Sequence, residues 1–375
     1  MPTPLSLSEI PRTSPTLWSH MRLCGLRAVL ASTLEADRWV LHDPRAWLGT
    51  AFHRVMEAAG RNGAAAADAE AVWNAAIANA VAAATSHPLD SRFSIPERWP
   101  GYFLVRQRAL ALASKTAATI GAPDAGAGSR ASNKTGGAER RLQARGGRLA
   151  GRPDRFDAHT ITEYKSSLPD PSWSGAEEVI DGFRRQVRLY AVIIAEATGV
   201  WPAHGRVVAA SGQIIDVPLD PAACGAEADA ALAALDTVNR GLAPGTAPEA
   251  LARPAPLACG GCPFQAICPA FWRWLHGADA QQLADVGADG ILQGIELGQD
   301  GDLYTAFLAL RFSTHQLNVE QSLVLRRSVH GDLTASGPGA RWRIVSARLR
   351  PDGRLRADIS TVVFAVRNLP ALTTA

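Results

Sequence analysis

The segment GRPDRFDAHTITEYKSS, residues 151–167, restricts the folds open to this chain more than any other feature. Successive side chains of a strand point to opposite faces, so Glu163 and Lys165 project from the same face. A short hairpin through Ala158 and His159 can bring Asp154, on the preceding strand, beside them. The segment therefore predicts two carboxylates and one ammonium group at the edge of an antiparallel strand pair.

These three side chains have the chemistry of a metal-dependent hydrolase. Two carboxylates form a hard-oxygen site that suits Mg²⁺ or Mn²⁺, and a lysine beside them can position or deprotonate a water and stabilise charge on a phosphate. Lysine is rare here, since the 38 basic residues include only Lys115, Lys134 and Lys165. An exposed strand that alternates charges remains an alternative for this segment taken alone.

Two predicted helices carry further polar side chains. The helix predicted at about residues 44–60 contains Gly49, Thr50 and His53, and the helix predicted at about 176–198 contains Gln186 and Tyr190. Residues four apart share a helix face, so Gln186 and Tyr190 face the same way. Taken singly, the histidine is more typical of an ordinary core or surface position. The Gln186 and Tyr190 pair, taken alone, is more typical of an ordinary polar edge.

In chain order the motifs are G-T-x-x-H, G-x-x-D from Gly151 to Asp154, E-x-K and Q-x-x-x-Y. This series resembles the PD-(D/E)XK nuclease superfamily, and within it the RecB-like, Cas4-like and AddB-like branch. The resemblance implies an α/β (α+β) restriction-endonuclease-like core with helical insertions. It also implies a metal-dependent deoxyribonuclease, either an exonuclease or an enzyme that acts on single strands or DNA ends.

The resemblance assigns roles to individual residues. Asp154, Glu163 and Lys165 would form the catalytic centre, and His53 and the backbone carbonyl of Tyr164 would be further Mg²⁺ or Mn²⁺ ligands. Gln186 and Tyr190 would orient the site or hold nucleic acid. Glu139 matches an acid that is common on the preceding strand of the family. Nearby arginines are candidates for contacts with backbone phosphates: Arg152, Arg155, Arg184, Arg185 and Arg188.

The cysteines indicate a second metal centre. Cys259, Cys262 and Cys268 are spaced C-x2-C-x5-C, and Cys24 is the natural fourth ligand, whereas Cys224 falls outside the pattern. One cysteine near the start and three near the end of the core resemble iron–sulfur nucleases of the AddB and Cas4 type, which implies a [4Fe-4S] cluster. A Zn²⁺ site with the same four ligands is the alternative.

A change in the residue pattern along the sequence predicts two domains. Residues 1–276 form the nuclease domain with its iron–sulfur staple, interrupted by a flexible loop at 121–137 that is rich in Gly, Ser and Ala. Residues 277–375 read as a small all-β module, barrel-like or sandwich-like. An OB-like fold that binds single strands would use Trp342 or Phe364 as stacking platforms. Docking of a partner protein is an equal alternative for this module, whose net charge is zero.

Several function classes are excluded or disfavoured. No GxxxxGK[ST] motif is present, so we expect any motor, such as a helicase, to act in trans. The net charge of +3 means that contact with DNA must be local. We expect no membrane span and no signal peptide, hence a cytoplasmic location. The resemblance implies a role in DNA repair, recombination or defence against foreign DNA. The alternatives are a catalytically silent scaffold or nucleic-acid-binding subunit of a helicase–nuclease complex, and a purely structural metal-binding protein.

Overall fold

The computed structural model describes residues 2–62, 66–121, 137–138, 140–315, 317, 319–331 and 333–374. Most of the predicted loop at 121–137, together with Glu139, lies outside the described residues.

The described helices from α1 to α9 precede a β-rich C-terminal region, which contains the short helix α10. The helices are α1 Pro15–Leu23, α2 Gly25–Ser32, α3 Pro44–Asn62, α4 Ala66–Ser86, α5 Tyr102–Gly121, α6 Ala176–Thr198, α7 Pro221–Arg240, α8 Pro256–Gly260, α9 Pro269–Trp274 and α10 Arg327–His330. The strands up to the end of the central sheet are β1 Leu5–Leu7, β2 Gly137–Ala138, β3 Leu142–Ala144, β4 Leu149–Gly151, β5 Arg155–Phe156, β6 Thr160–Lys165, β7 His204–Ala209 and β8 Ile214–Val217. The later strands are β9 Val286–Leu297, β10 Leu303–Ser313, β11 Glu320–Arg326, β12 Arg341–Leu349, β13 Leu355–Arg356, β14 Val362–Ala365 and β15 Leu372–Thr374.

The central sheet has the strand order β2-β5-β6-β7-β8. β5 and β6 are antiparallel neighbours, as the sequence predicts, and so are β7 and β8. β6 and β7 run parallel, which requires a long crossover connection, and α6 provides it. The sheet therefore combines a hairpin that carries the acidic motif with one β-α-β unit.

Helices cover both faces of this sheet. On one face, Ile161 and Val207 belong to a core that includes Val187 and Ile193 of α6 and extends to α1, α2 and α7. On the other face, Tyr164 and Val208 of the sheet pack with α3, α4 and α5. The strict alternation of β6 sends Glu163 and Lys165 towards α6, because they share a face with Ile161.

Local sequence signals set the ends of the helices next to the sheet. The side chain of Asp220 accepts a hydrogen bond from Ala223 N at 2.8 Å, and Pro221 occupies the first turn of α7. α6 ends at Gly199, whose φ of 77° lies in the left-handed region that favours glycine. These caps fix the lengths of the two helices that pack on the sheet.

The C-terminal region is an antiparallel sheet that is nearly closed like a barrel. Its strand order is β11-β10-β9-β12-β13, and β14 pairs with β12. The side chain of Gln321 on β11 accepts a hydrogen bond from Leu355 N on β13 and donates one to Gly353 O, so it joins the two edges. This confirms the predicted all-β, barrel-like character of the region.

The proposed stacking role of two aromatic residues is wrong. Trp342 is fully buried in the barrel core, and Phe364 is also buried. A stacking platform has to present its ring to solvent before a base can lie on it. Neither side chain can therefore receive a base, and the expected OB-like strand-binding surface loses its two named contacts.

The barrel is joined to the nuclease core at several places. β15 pairs in parallel with β1, so residues from the two ends of the described chain form a two-stranded sheet. Val345, Val362 and Phe364 of the C-terminal region also belong to the hydrophobic core of the central sheet. The division at residues 276 and 277 stays a prediction. Among the described helices, none has both the length and the apolar character that a membrane span requires.

Candidate active site

Asp154 lies directly before β5 and connects the sheet to α3. Its Oδ1 is 2.9 Å from Nδ1 of His53, and its Oδ2 accepts a hydrogen bond from Tyr164 N at 2.7 Å. The helix and the two strands are thus tied together through one carboxylate. His53 retains its Nε2 as a nitrogen that can ligate a metal, because the other ring nitrogen faces Asp154.

Glu163 and Lys165 meet Gln186 of α6. The Lys165 ammonium donates to Glu163 Oε1 and to Gln186 Oε1, both at 2.9 Å, and Gln186 Nε2 donates to Glu163 Oε1 at 2.7 Å. The lysine also lies 4.8 Å from the centre of the Phe183 ring, a cation–π distance. The three polar groups therefore hold one another in a closed triangle.

Tyr190 extends this network to the backbone of the acidic motif. Gln186 Nε2 lies 3.2 Å from the Tyr190 hydroxyl, which donates to Arg152 O at 3.2 Å. Gly151 makes this approach possible, because a Cβ there would lie 2.8 Å from the Tyr190 ring and 2.8 Å from Ile193. The glycine of the G-x-x-D motif is thus required for close packing of α6 against β4.

The charged groups of the site are partly buried, and Glu163 is buried most deeply. Glu163 is 2% exposed, and its Oε2 is buried without a hydrogen-bond partner. Burial raises the pKa of Glu163 to about 7, although the charge of Lys165 opposes the shift. Burial alone would lower the pKa of His53, but its hydrogen bond to Asp154 and the nearby carboxylates outweigh burial, so the pKa of His53 is raised.

This donor set fits a divalent metal ion. A buried carboxylate oxygen without a partner is costly unless a cation or a proton satisfies it. Oε2 of Glu163 is such an atom, and Asp154 and His53 supply further oxygen and nitrogen donors on neighbouring elements. A hard divalent cation would satisfy Oε2 and favour the ionised form of the glutamate.

A family model described as the PD-(D/E)XK nuclease superfamily matches residues 12–269. The chain belongs to this superfamily. The match spans the motif helix α3, the acidic hairpin, α6 and the cysteines, and membership indicates a metal-dependent nuclease that binds nucleic acid. No curated protein matches the chain.

The cysteines of this PD-(D/E)XK nuclease converge as the spacing predicts. Cys24 lies between α1 and α2, and it lines one cavity with Cys259, Cys262 and Cys268. Burial raises the pKa of the thiols of Cys259 and Cys268 to about 11 and about 12. Cys224 does not line this cavity and is fully buried on α7. The grouping of the four thiols is observed, and their role as ligands stays a prediction.

Two of the arginines suggested for phosphate contacts have acidic partners within their own helix. Arg184 bonds to Glu177 at 2.5 Å and to Asp181 at 2.7 Å, and Arg185 bonds to Glu178 at 2.6 Å. Each of these pairs reduces the positive charge available to a phosphate. Arg152, Arg155 and Arg188 stay candidates for contact with the substrate backbone, and Arg155 also hydrogen-bonds to the side chain of Tyr164.

Sequence reasoning missed Phe183 as part of the nuclease site. The residue lies three positions before Gln186, so it shares that residue's face of α6. This spacing was the available signal, but a phenylalanine on an amphipathic helix is ordinarily assigned to the core. The ring packs beside the ammonium of Lys165 and limits the positions open to it.

Proposed function

We propose that this nuclease hydrolyses DNA phosphodiester bonds with Mg²⁺ or Mn²⁺ and acts on DNA ends or single strands, in repair, recombination or defence against foreign DNA. The observation that carries the proposal is the buried, unpartnered Oε2 of Glu163 within a complete set of motif side chains. A copy of the fold kept only as a scaffold has no need to bury an unsatisfied carboxylate, which costs folding free energy.

Asp154, Glu163 and His53 would hold the metal, together with the backbone carbonyl of Tyr164. When bound, the ion would lower the pKa of a water and neutralise charge on the scissile phosphate. Lys165 would position that water and stabilise the developing negative charge, because its ammonium is fixed by Glu163 and Gln186. Tyr190 and Gln186 would hold Lys165 and Glu163 at a fixed position relative to the backbone of Arg152.

The test uses end-labelled single-stranded and double-stranded DNA with Mg²⁺ or Mn²⁺. We expect wild-type protein to degrade at least one substrate, and Lys165→Ala to lower the rate by about 100-fold or more, the magnitude typical of a lost transition-state contact. Lys115→Ala is the matched control, because this exposed lysine lies on α5 outside the site. It should retain the wild-type rate.

Binding of the same DNA separates catalysis from a scaffold role. Both Lys165→Ala and Glu163→Gln should bind labelled DNA with EDTA present, since phosphate contacts from other residues supply most of the affinity. If wild-type protein binds DNA but cleaves no substrate with either metal, the chain is a scaffold or nucleic-acid-binding subunit. No motor motif is present, so processive degradation would depend on a helicase in trans.

We also propose that the four cysteines hold a [4Fe-4S] cluster. The four sulfurs line one cavity, although Cys24 is far from the other three along the chain. A [4Fe-4S] cluster needs four thiolates, one for each iron. Leu26, Leu30, Phe264 and Phe271 shield the cavity from water.

Anaerobic purification tests the cluster. We expect a brown protein with about four iron and four sulfide per chain, and loss of both in Cys24→Ser. Cys224→Ser is the matched control, since Cys224 does not line the cavity, and it should keep its iron. Colourless wild-type protein with one equivalent of zinc would refute the cluster in favour of the alternative metal.

A further inference from the structure

Two histidines and an aspartate come together away from the active site and the cysteines. His42 lies in the segment before α3, and His87 and Asp90 follow α4. Nδ1 of His42 lies 2.6 Å from Asp90 Oδ2, and Nδ1 of His87 lies 2.7 Å from the same oxygen. Among the described residues, these three form the group whose ligating atoms all lie within 4.8 Å of one another.

The hydrogen bonds of His87 indicate which ring nitrogen carries the proton. Its Nε2 lies 3.0 Å from the backbone carbonyl of Asp37, which can only accept, so Nε2 bears the hydrogen. With that hydrogen on Nε2, a neutral ring keeps a lone pair on Nδ1, the nitrogen that faces Asp90. A bare Nδ1 and a carboxylate oxygen 2.7 Å apart repel each other unless a cation lies between them.

Asp90 provides the second, independent observation. The residue is completely buried, and its Oδ1 has no hydrogen-bond partner. The guanidinium of Arg92 lies 3.9 Å from Oδ1, beyond hydrogen-bond distance, because Arg92 donates to Ile359 O at 2.8 Å. A fully buried carboxylate with one unsatisfied oxygen needs a further cationic partner.

We propose that His42, His87 and Asp90 bind a divalent transition-metal ion of the zinc class. Two imidazoles and one carboxylate suit borderline metals such as Zn²⁺, whereas Mg²⁺ prefers oxygen donors. The Nε2–H bond from His87 to a backbone carbonyl is the outer contact usual for a metal-bound histidine. The adjoining cleft is lined by Glu35, Asp37 and Arg38, so solvent can reach the site and complete the coordination.

The site would act on the catalytic centre through α3. His42 precedes α3, the helix that carries His53, and His87 and Asp90 are at the end of α4, which packs on α3. Trp47 of α3 also stacks on His42, with ring centres 5.6 Å apart. A bound ion would therefore fix the start of α3 against the end of α4. His42, His87 and Asp90 are positioning residues in this scheme.

The test measures zinc binding by full-length protein purified with its cysteine site intact and equilibrated with excess Mg²⁺. We expect wild-type protein to take up one zinc whose addition raises the Tm, and His87→Ala and His42→Gln to weaken this binding by at least about tenfold, as for loss of a metal contact. The exposed His204 provides the matched control, and His204→Gln should bind zinc as the wild type does.

Copper EPR distinguishes this site from the thiols. It needs only the wild-type protein and His42→Gln, so it still tests the proposal if His87→Ala fails to fold. Cu²⁺ bound to wild-type protein should show hyperfine coupling to two nitrogens, and His42→Gln, altered at a half-buried position, should show coupling to one. Equal zinc uptake and affinity in wild type, His42→Gln and His87→Ala would overturn the proposal. So would absence of zinc binding by wild-type protein, which would leave a proton as the shared cation.

Discussion

Gln186 makes contact with both charged groups of the E-x-K motif. Its amide oxygen accepts from Lys165 while its amide nitrogen donates to Glu163. The residue is a positioning residue, because every one of these contacts is with another side chain of the protein. Its removal should leave both charges in place and loosen their relative geometry.

We expect Gln186→Ala to lower kcat about tenfold or more while KM for DNA changes little, because the interaction is needed in the transition state and not for substrate binding. Steady-state kinetics on the labelled DNA checks this. Gln213→Ala, at an exposed turn between β7 and β8, is the matched control. A rise in KM with kcat unchanged would instead assign Gln186 to substrate binding.

His20 makes the stability of the protein sensitive to acid. Burial, helped by the charge of Arg27, lowers the pKa of His20 from 6.5 to about 4, and its Nδ1 has no hydrogen-bond partner. The pKa of His20 is lower in the folded chain than in the unfolded chain. The stability that depends on the uncharged ring is therefore fully present above pH 6.5 and is lost as the pH falls towards 4. The folded chain disfavours protonation of this ring.

We expect wild-type protein to lose roughly 2 to 3 kcal/mol more unfolding free energy than His20→Gln between pH 7 and pH 4.5. Urea unfolding at both pH values measures the difference. His204→Gln, altered at an exposed histidine, should lose as much as wild type. Equal losses in wild type and His20→Gln would show that His20 does not titrate at a shifted pKa.

The motif side chains were predictable because period-two and period-four spacings decide which residues share a face. Glu163, Lys165, Gln186 and Tyr190 meet for that reason. The pairing of Arg184 with Glu177 was less accessible, since a solvated arginine and a phosphate ligand look alike in sequence. The grouping of His42 with His87 depends on how α3 and α4 pack, which no local spacing encodes.

At the scale of elements, the contact of α6 with β4 depends on the absence of a side chain at Gly151. A Cβ there would approach both Tyr190 and Ile193 to 2.8 Å, closer than real Cβ contacts allow. Tyr190 is part of the polar network, so any displacement of α6 also moves Gln186 relative to the acidic motif. The glycine therefore links packing to the geometry of the site.

We expect Gly151→Ala to destabilise the fold by about 1 to 3 kcal/mol, the usual cost of overpacking, and to lower nuclease activity as α6 moves away. Denaturant unfolding and the DNA assay check the two effects. Gly182→Ala, on α6, is the control, because a Cβ at this position meets no atom within 4 Å. It should be neutral or stabilising, since alanine favours helices.

Element boundaries followed closely from the sequence where chemical caps exist. Residues 176–198 were predicted as a helix and match α6, with Gly199 at its end. The helix predicted at about residues 44–60 begins at Pro44 as expected, but α3 continues to Asn62. The small separate sheet of β3 and β4 was not predictable as such, since its isolation depends on tertiary packing.

At the scale of the whole molecule, the pairing of β1 with β15 anchors the barrel to the nuclease core. Leu5 and Leu7 are 5% and 1% exposed, and they lie in register with Leu372 and Thr374. The sequence offered no signal for this pairing, because each strand is only three residues long and the two are far apart along the chain. The change in residue pattern near residue 277 instead predicted a separate module.

We expect deletion of residues 371–375 to lower the Tm by about 2 to 5 °C, equivalent to roughly 1 kcal/mol of lost contacts. Thermal unfolding measured by circular dichroism checks this. Thr373→Ser is the control, because it keeps the backbone pairing of β15 with β1 and the hydroxyl that donates to Leu5 O. An unchanged Tm in the deletion would mean that β15 contributes nothing to anchoring.

The β1–β15 pairing also has a consequence for the order of events during synthesis. Leu5 and Thr373 are 368 positions apart, so the first strand leaves the ribosome long before its partner exists. Until then, the strand edge that β15 will cover is open to other chains. A contact this distant in sequence also slows folding. The open edge of β1 is therefore a site of mispairing while the residues between the two strands are synthesised, and a chaperone that covers this edge would have to act throughout that interval.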